Sequence, residues 1–90
     1  MYDIITSDKF RKKSKKFFKR HPNLKYKFKN IINQLSLNPF EPSLKTHKLK
    51  GNLKELYACS LNYEYRLILS IVIIDNEIYL LDIGTHDEVY

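Results

Sequence analysis

The 90-residue sequence has one cysteine, two glycines and no long hydrophobic run. The lone Cys59 excludes an internal disulfide framework and is typical of a reducing compartment. The longest apolar run, Leu67–Ile74, is far shorter than the roughly 20 residues of a transmembrane helix. Met1–Ile5 is too short for the apolar region of a signal peptide, and charged residues follow at once. We therefore expect a soluble cytoplasmic protein that does not contact the membrane.

Acidic residues are scarce in the first half of the chain. Up to Lys50 there are fourteen Lys and Arg against three Asp and Glu, a net charge of +11. From Gly51 onward there are two basic residues against seven acidic ones, a net charge of −5. This asymmetry favours a surface on the first half that binds a polyanion, with nucleic acid as the main candidate. The alternative is a lysine-rich helix surface that only confers solubility.

The residue patterns of metal and nucleotide-cofactor sites are missing. His21, His47 and His86 lack the close spacing of metal ligands, and the chain has no cysteine cluster. It also has no glycine-rich phosphate loop. We expect neither a metal nor a cofactor, and Cys59 is more typical of a core residue than of a nucleophile.

The first half of the chain predicts a strand followed by two helices. Ninety residues suit one domain, 1–90, that buries roughly 60 to 65% of the surface of its unfolded chain. Tyr2–Ile5 fits a first strand, and Thr6 or Ser7 can cap a helix that runs to about Arg20. Its buried face should contain Phe10, Phe17 and Phe18.

A second helix is predicted between two proline breaks, His21–Pro22 and Asn38–Pro39. Between them, apolar residues recur at helical spacing. The two helices should form a hairpin. The apolar residues of the second helix are Leu24, Phe28, Ile31, Ile32 and Leu35.

The second half of the chain is predicted to form β strands. His47 and Leu49 fit a short strand or extended loop that Gly51–Asn52 closes. Three further runs are rich in branched and aromatic residues. The order β-α-α-β-β-β predicts an α+β fold, with the helical hairpin packed on a twisted, mostly antiparallel sheet. The three predicted strands are Leu53–Leu61, Glu64–Ile74 and Glu77–Ile83.

Three segments of this half carry a resemblance to a known family: HKLKG at residues 47–51, EYRLIL at 64–69 and DIGTHDEVY at 82–90. Together with the element order, they resemble the RelE/ParE superfamily of type II toxin–antitoxin toxins, and within it the RelE/YafQ-like mRNA interferases. The resemblance implies a toxin that enters the ribosomal A site and cleaves mRNA there. It also implies an antitoxin protein that covers the basic or catalytic surface.

The chain departs from the YafQ-like pattern at two places. That pattern has an arginine shortly before GTH, where this chain has Asp82 or Ile83. It also has an upstream histidine, where this chain has Cys59 or Ser60. Arg66 would then have to supply the missing positive charge.

Cleavage of RNA without a metal needs a base for the ribose 2′-OH, a cation for the phosphorane and an acid for the leaving 5′ oxygen. Histidine suits both proton roles, because its unperturbed pKa of about 6.5 lies near neutral pH. His86, which matches the histidine of GTH, is the candidate acid, and His47 is the candidate base or phosphate ligand. Arg66 is the candidate cation, unless it pairs with a carboxylate such as Glu64 or Glu55. Glu64 is the alternative base.

Aromatic and basic residues supply the candidates for RNA binding. Tyr65 and Tyr90 can stack on bases, although Tyr90 could equally pack back onto the sheet. Six lysines are candidates for phosphate contacts, although each could simply be a solvated surface residue: Lys12, Lys13, Lys16, Lys48, Lys50 and Lys54.

The sequence is also compatible with two other functions. A ParE-like chain would inhibit DNA gyrase and cleave nothing, although the pair His47 and His86 argues against it. A catalytically decayed toxin would bind only RNA or the antitoxin.

Overall fold

The computed structural model describes residues 1–53 and 55–89. Five strands form one sheet in the order β1-β5-β4-β3-β2, and two long helices pack on it. A short helix, α3, follows the last strand. Within the described part of the chain, no helix has the length and apolar character needed to cross a membrane. The elements are β1 Asp3–Thr6, α1 Asp8–Arg20, α2 Lys25–Leu37, β2 His47–Lys48, β3 Tyr57–Ser60, β4 Tyr65–Val72, β5 Glu77–Thr85 and α3 His86–Val89.

Helix α1 begins where the sequence predicts. The hydroxyl of Ser7 accepts a hydrogen bond from the N–H of Phe10 at 3.0 Å, so Ser7 is the N-cap. Asp8 lies in the first turn, and Lys19 and Arg20 lie in the last turn, which suits the helix dipole at both ends. Phe10 is buried, whereas the two later phenylalanines of this helix are half-buried.

Helix α2 starts slightly later than Pro22, because residues Pro22–Leu24 first form a 3₁₀ turn. The helix ends at Asn38, whose backbone is extended, as the following Pro39 requires. The predicted apolar face contacts the core. Leu24, Ile31 and Leu35 are buried, and Phe28 and Ile32 pack partly buried beside them.

The sheet is antiparallel except at one edge. β2 pairs with β3, β3 with β4 and β4 with β5 in antiparallel fashion, whereas β1 runs parallel to β5. β1 pairs only with Glu77–Leu80, so residues 81–85 of β5 extend beyond it. The predicted α+β fold with helices on a mostly antiparallel sheet is confirmed.

Strand bounds differ from the sequence prediction in three places. The predicted strand Leu53–Leu61 is too long, because β3 begins only at Tyr57. Before it, Gly51–Leu53 forms a 3₁₀ turn, and the N–H of Leu49 donates to the carbonyl oxygen of Leu56 at 2.9 Å. Glu64–Ile74 is also too long, since Ile73–Asp75 forms a 3₁₀ turn between β4 and β5. Glu77–Ile83 is too short, because Gly84 and Thr85 still pair with β4.

The two faces of the sheet carry separate hydrophobic clusters. The helix face packs against α1 and α2 through residues that include Cys59, Leu67 and Ile83. The opposite surface, here called the open face, has a smaller cluster of Leu49, Ala58 and Ile68 with Leu56 and Val89 packed against it. The open face is therefore an apolar floor that α3 partly covers.

Leu35→Ala in α2 should lower the free energy of unfolding by about 2 to 5 kcal/mol, because it opens a cavity in the core. Leu35 is 0% exposed, whereas Leu37, two residues along the same helix, is 69% exposed. The matched variant Leu37→Ala should change the free energy by no more than about 0.5 kcal/mol. Urea unfolding followed by circular dichroism measures both; equal losses would contradict the packing described here.

Candidate functional site

The antiparallel pairing of β4 and β5 brings most of the candidate residues to one end of the sheet. Tyr65 pairs with Thr85, and Arg66 pairs with Gly84. His86 follows Thr85 directly as the first residue of α3. The candidates Glu64, Tyr65, Arg66 and His86 therefore meet where β4 begins and β5 ends.

His47 lies on a different strand. It pairs with Ala58, Ala58 pairs with Ile68, and Ile68 pairs with Asp82, so the four residues form one row across the sheet. Directly paired residues point to the same face, so alternation places this row on the open face. Three inter-strand spacings, about 14 Å, separate the backbones of His47 and Asp82. The structure therefore places His47 across the apolar floor from the end of β5, on the same face but not in the same cluster.

The segment GTHDE folds back on itself through a capping box. The N–H of Thr85 donates to Oε1 of Glu88 at 2.9 Å, and the N–H of Glu88 donates to Oγ1 of Thr85 at 3.3 Å. This reciprocal pair is the arrangement expected for a Thr-x-x-Glu sequence at a helix start. It fixes the position from which the exposed His86 projects, and Nδ1 of His86 lies 3.5 Å from Oδ1 of Asp87.

Gly84 permits the close return of α3. A Cβ at this position would lie 3.1 Å from Cγ1 of Val89 and 3.2 Å from Cβ of Glu88. Both distances are tighter than ordinary van der Waals contacts. A side chain at position 84 would therefore require the side chains of Val89 and Glu88 in α3 to shift by a few tenths of an ångström.

Hydrogen bonds with Thr85 hold the pKa of Glu88 below the usual glutamate value of 4.5. The backbone N–H of Thr85 is the largest cause and the Thr85 side chain the next, with smaller contributions from Lys13 and Arg20. Glu88 is therefore ionised at neutral pH, as a capping carboxylate should be.

Arg66 braces the turn between β3 and β4. Its Nη1 donates to the carbonyl oxygens of Asn62, Tyr63 and Tyr65 at 3.0, 3.2 and 3.2 Å. Oδ1 of Asn62 accepts from the N–H groups of Glu64 and Tyr65 and closes the same turn. Among the described residues, Arg66 takes part in no ion pair, so the alternative pairing with Glu64 or Glu55 is not formed and its partners are carbonyl oxygens.

Tyr65 points to the helix face, where it meets α1. Its hydroxyl lies 3.3 Å from Nε2 of His21, and its ring centroid lies 4.9 Å from those of His21 and Phe17. Burial raises the pKa of Tyr65, and the neighbouring carboxylate of Glu64 raises it further. The phenol is therefore protonated at neutral pH, and Tyr65 is on the opposite face from Arg66.

The candidate lysines lie on two separate surfaces. Lys12, Lys13 and Lys16 are exposed on α1, and Lys13 forms an ion pair with Asp82 of β5. Lys48 and Lys50 are exposed at the other edge of the sheet, beside the exposed His47, whose Nδ1 lies 3.0 Å from the Lys45 carbonyl oxygen. The ion pair puts the Lys13 ammonium beside Asp82, which together with Ile83 is where the resemblance implies an arginine. The remaining candidates, Lys54 and Tyr90, lie outside the described residues.

Cys59 belongs to the core. It is completely buried, and burial raises the pKa of its thiol to about 12, so the thiol is neutral. In the described part of the chain, no group of three or more His, Cys, Asp and Glu residues could hold a metal ion.

Sequence reasoning missed five residues of this region. The capping box of Thr85 and Glu88 could have been recognised from the Thr-x-x-Glu spacing. Phe17, Arg20 and His21 join the site only because α1 crosses the sheet beside Tyr65, and no spacing in the sequence indicates that contact.

Thr85→Val should raise the pKa of Glu88 towards 4.5 without restoring it fully, because the variant loses the hydroxyl but keeps the backbone N–H. A lowered folded-state pKa means that the capping interaction is present at neutral pH and is lost as pH falls through that pKa. Acidification below pH 4.5 should therefore release α3 in the wild type.

A carboxyl titration by NMR measures this pKa directly. Thr46→Val is the matched control, since the hydroxyl of Thr46 donates to the Pro39 carbonyl, far along the chain from α3. The Thr46→Val variant should leave the pKa of Glu88 unchanged. A wild-type Glu88 pKa at or above 4.5 would contradict the capping box.

Comparisons with known proteins place this geometry in a family. A family model described as a bacterial toxin of type II toxin–antitoxin system, YafQ, matches residues 2–90. No curated protein matches the chain. Among solved structures, YafQ from Escherichia coli strain BL21(DE3) is similar with a TM-score of 0.81 and 25% identity, over 100% of this chain and 99% of that one.

Two further structures extend the similarity. A metal-bound toxin from Helicobacter pylori has a TM-score of 0.77 and 34% identity, with both chains covered completely. The YoeB–YefM complex from Staphylococcus aureus has a TM-score of 0.75 and 25% identity, over 96% of this chain and 98% of that one. The fold, the GTH segment and the family match over residues 2–90 lead to one conclusion: this chain belongs to the YafQ family of toxins of type II toxin–antitoxin systems.

Proposed function

We propose that this toxin is a ribosome-dependent endoribonuclease that cleaves mRNA in the A site and so inhibits translation. The observation that carries the proposal is the position of His86. The capping box of Thr85 and Glu88 holds it at the end of β5, directly after the residues that pair with Tyr65 and Arg66, in the short helix whose Val89 packs on the open face. Membership of a toxin family supports the biological setting, and the basic first half supports a polyanionic substrate.

The reaction that these groups can perform is an internal transfer at phosphorus. A base takes the proton of the ribose 2′-OH, and the 2′ oxygen forms a bond to the adjacent phosphorus. The bond from phosphorus to the 5′ oxygen breaks, and an acid gives that oxygen a proton. The products are a 2′,3′-cyclic phosphate and a 5′-hydroxyl, so no metal, oxidant or second substrate is required.

His86 is the proposed acid. It is exposed, it directly follows β5, and its imidazole can donate a proton to a leaving oxygen. Two groups can serve as the base. Glu64 lies at the same end of the sheet as His86, whereas His47 lies across the open face, about 14 Å from the backbone of Asp82 on β5. A base at His47 requires the RNA to lie on the apolar floor between the two imidazoles.

Positive charge near the reacting phosphate has two sources. Arg66 uses Nη1 on the turn carbonyls, and the remaining N–H groups of a guanidinium can donate to a phosphate oxygen. Lys13 is beside Asp82 on β5. Preorganised cations of this kind stabilise the charge that develops on the phosphorane. Lys48 and Lys50, with Lys12, would contact phosphates farther along the RNA.

A protein partner follows from the same family. The similar YoeB toxin of Staphylococcus aureus is in a complex with YefM. We propose that an antitoxin covers the cationic surface of this chain in the same general way. We place the toxin and its ribosomal target in the cytoplasm.

His86→Ala should lower the cleavage rate by roughly 10²- to 10⁴-fold, the usual contribution of a positioned acid. The measurement is primer extension on a defined mRNA in a purified translation system, with and without ribosomes. Wild-type toxin should cut only when ribosomes are present. His86 is exposed, so the variant should unfold at nearly the wild-type temperature.

Asp75→Ala is the matched control for this experiment. Asp75 is also exposed and also flanks β5, but it lies in the turn at the other end of the strand. It should cleave like wild type. An intact message with wild-type toxin that still blocks growth would overturn the nuclease proposal and would favour inhibition of DNA gyrase.

A further inference from the structure

A cavity of about 500 Å³ lies between α1, the strands β4 and β5, and α3. One side of it is a helical stripe of Lys13, Lys16, Phe17 and Arg20, which recur at i, i+3, i+4 and i+7 along α1. It is on the helix side of β4, where Tyr65 lies, and its outer rim is the part of β5 that extends beyond β1. Phe17, His21 and Tyr65 therefore line the cavity from the helix face, whereas Gly84 and Glu88 line it from the segment that carries His86.

The charges of this cavity leave two cations for a ligand. Lys13 is already in an ion pair with Asp82, and Oε1 of Glu88 already accepts a hydrogen bond from the N–H of Thr85. Neither Lys16 nor Arg20 takes part in an ion pair among the described residues. Arg20 and Glu88 both line the cavity. A single anionic group could therefore be held between Lys16 and Arg20.

Three rings form the inner wall. The ring centroids of Phe17, His21 and Tyr65 lie 4.7 to 4.9 Å from one another. The hydrogen bond between the Tyr65 hydroxyl and Nε2 of His21 fixes two of them relative to each other. All three are half-buried, so part of each ring faces the cavity and part is held by the core. Fixed aromatic surfaces beside cations are the features that bind single-stranded nucleic acid.

We infer that this cavity is a nucleotide subsite for single-stranded RNA. Lys16 and Arg20 bind a backbone phosphate, and the rings of His21 and Tyr65 contact the adjacent base. The inference rests on the proposed function for the nature of the ligand, but it assigns a site whose lining includes none of the proposed catalytic residues His47, Glu64, Arg66 and His86. An acidic peptide could use the same cations, but it would have no use for the rings.

The first test compares two charge variants of α1. Lys16→Gln with Arg20→Gln removes the two cations of the cavity. Lys15→Gln with Lys19→Gln removes the same charge from the same helix, at residues that border a different groove. The probe is a fluorescent 2′-O-methyl RNA hexamer, which cannot be cleaved through a 2′-OH, and its binding is followed by anisotropy at several salt concentrations.

The cavity variant should bind the hexamer about tenfold more weakly than wild type. Its salt dependence, the slope of log K against log salt, should be smaller by about 0.7, because the variant loses one phosphate contact and each such contact on a single strand contributes about 0.7. The Lys15 and Lys19 variant should bind within threefold of wild type. Equal losses in both variants would mean a diffuse electrostatic field and would overturn the subsite.

The second test addresses the rings. Wild-type toxin should bind the hexamer more tightly than an abasic strand of the same length, and His21→Ala should abolish that difference while leaving the abasic affinity unchanged. Equal binding of both strands by wild type would overturn the base contact. Hexaglutamate is the control ligand for an acidic peptide. If replacing Lys16 and Arg20 weakens the binding of hexaglutamate as much as the binding of RNA, the assignment to RNA would be overturned.

These binding experiments do not depend on cleavage. If wild-type toxin fails to cut mRNA on ribosomes but the cavity variants lose binding as described, the subsite holds and the nuclease proposal fails. If cleavage occurs and the cavity variants bind like wild type, the subsite fails and the nuclease proposal stands.

Discussion

The antiparallel pairing of β4 with β5 is the constraint on which the rest of this structure depends. It sets Tyr65 against Thr85 and Arg66 against Gly84, and so it decides which residues meet at the end of the sheet. A one-residue slip would move every side chain of a strand to the other face. The register shift at Ile68 and Leu69 leaves Leu81 as an extra residue on β5, and beyond it Ile83 still faces the core. The position of α3, and therefore of His86, follows from this register.

The basic charge of α1 is held in place by packing rather than by helix propensity. Like charges three and four residues apart destabilise an isolated helix. Phe10 is 2% exposed and its neighbours Phe17 and Phe18 pack against the same core, so the helix is stabilised by the sheet. The acids that could neutralise α1 are mostly in the second half of the chain, and one of them, Asp82, reaches Lys13. The surplus cations remain on the surface, where a polyanion can bind them.

Much of the fold could be predicted from local patterns. The cap at Ser7, the break at Pro22 and the end of α2 at Asn38 follow from residues within a few positions of each other. Strand ends were harder, because Leu53 and Ile73 have strand propensity but lie where the chain must turn between paired strands. Local propensity cannot show where a strand ends, because the end depends on which residues of the neighbouring strand are available for pairing.

The site could be predicted only in part. The resemblance pointed to His86, and the structure adds the capping box that positions it. The contact of His21 with Tyr65 spans 44 residues and depends on how α1 crosses the sheet. The carbonyl partners of Arg66 depend on the shape of the turn from Asn62 to Tyr65, which single residues do not specify.

In the proposed reaction the ribose 2′-OH of the message is the nucleophile, and protein side chains at the end of β5 assist it. Its most direct test uses an mRNA with one 2′-deoxynucleotide, on the 5′ side of the scissile phosphate in the A-site codon, in a purified translation system with wild-type toxin. The all-ribose message should be cut to a 2′,3′-cyclic phosphate and a 5′-hydroxyl, and the substituted message should stay intact at that position. Equal cleavage of both messages, or products with a 3′-hydroxyl and a 5′-phosphate, would contradict it.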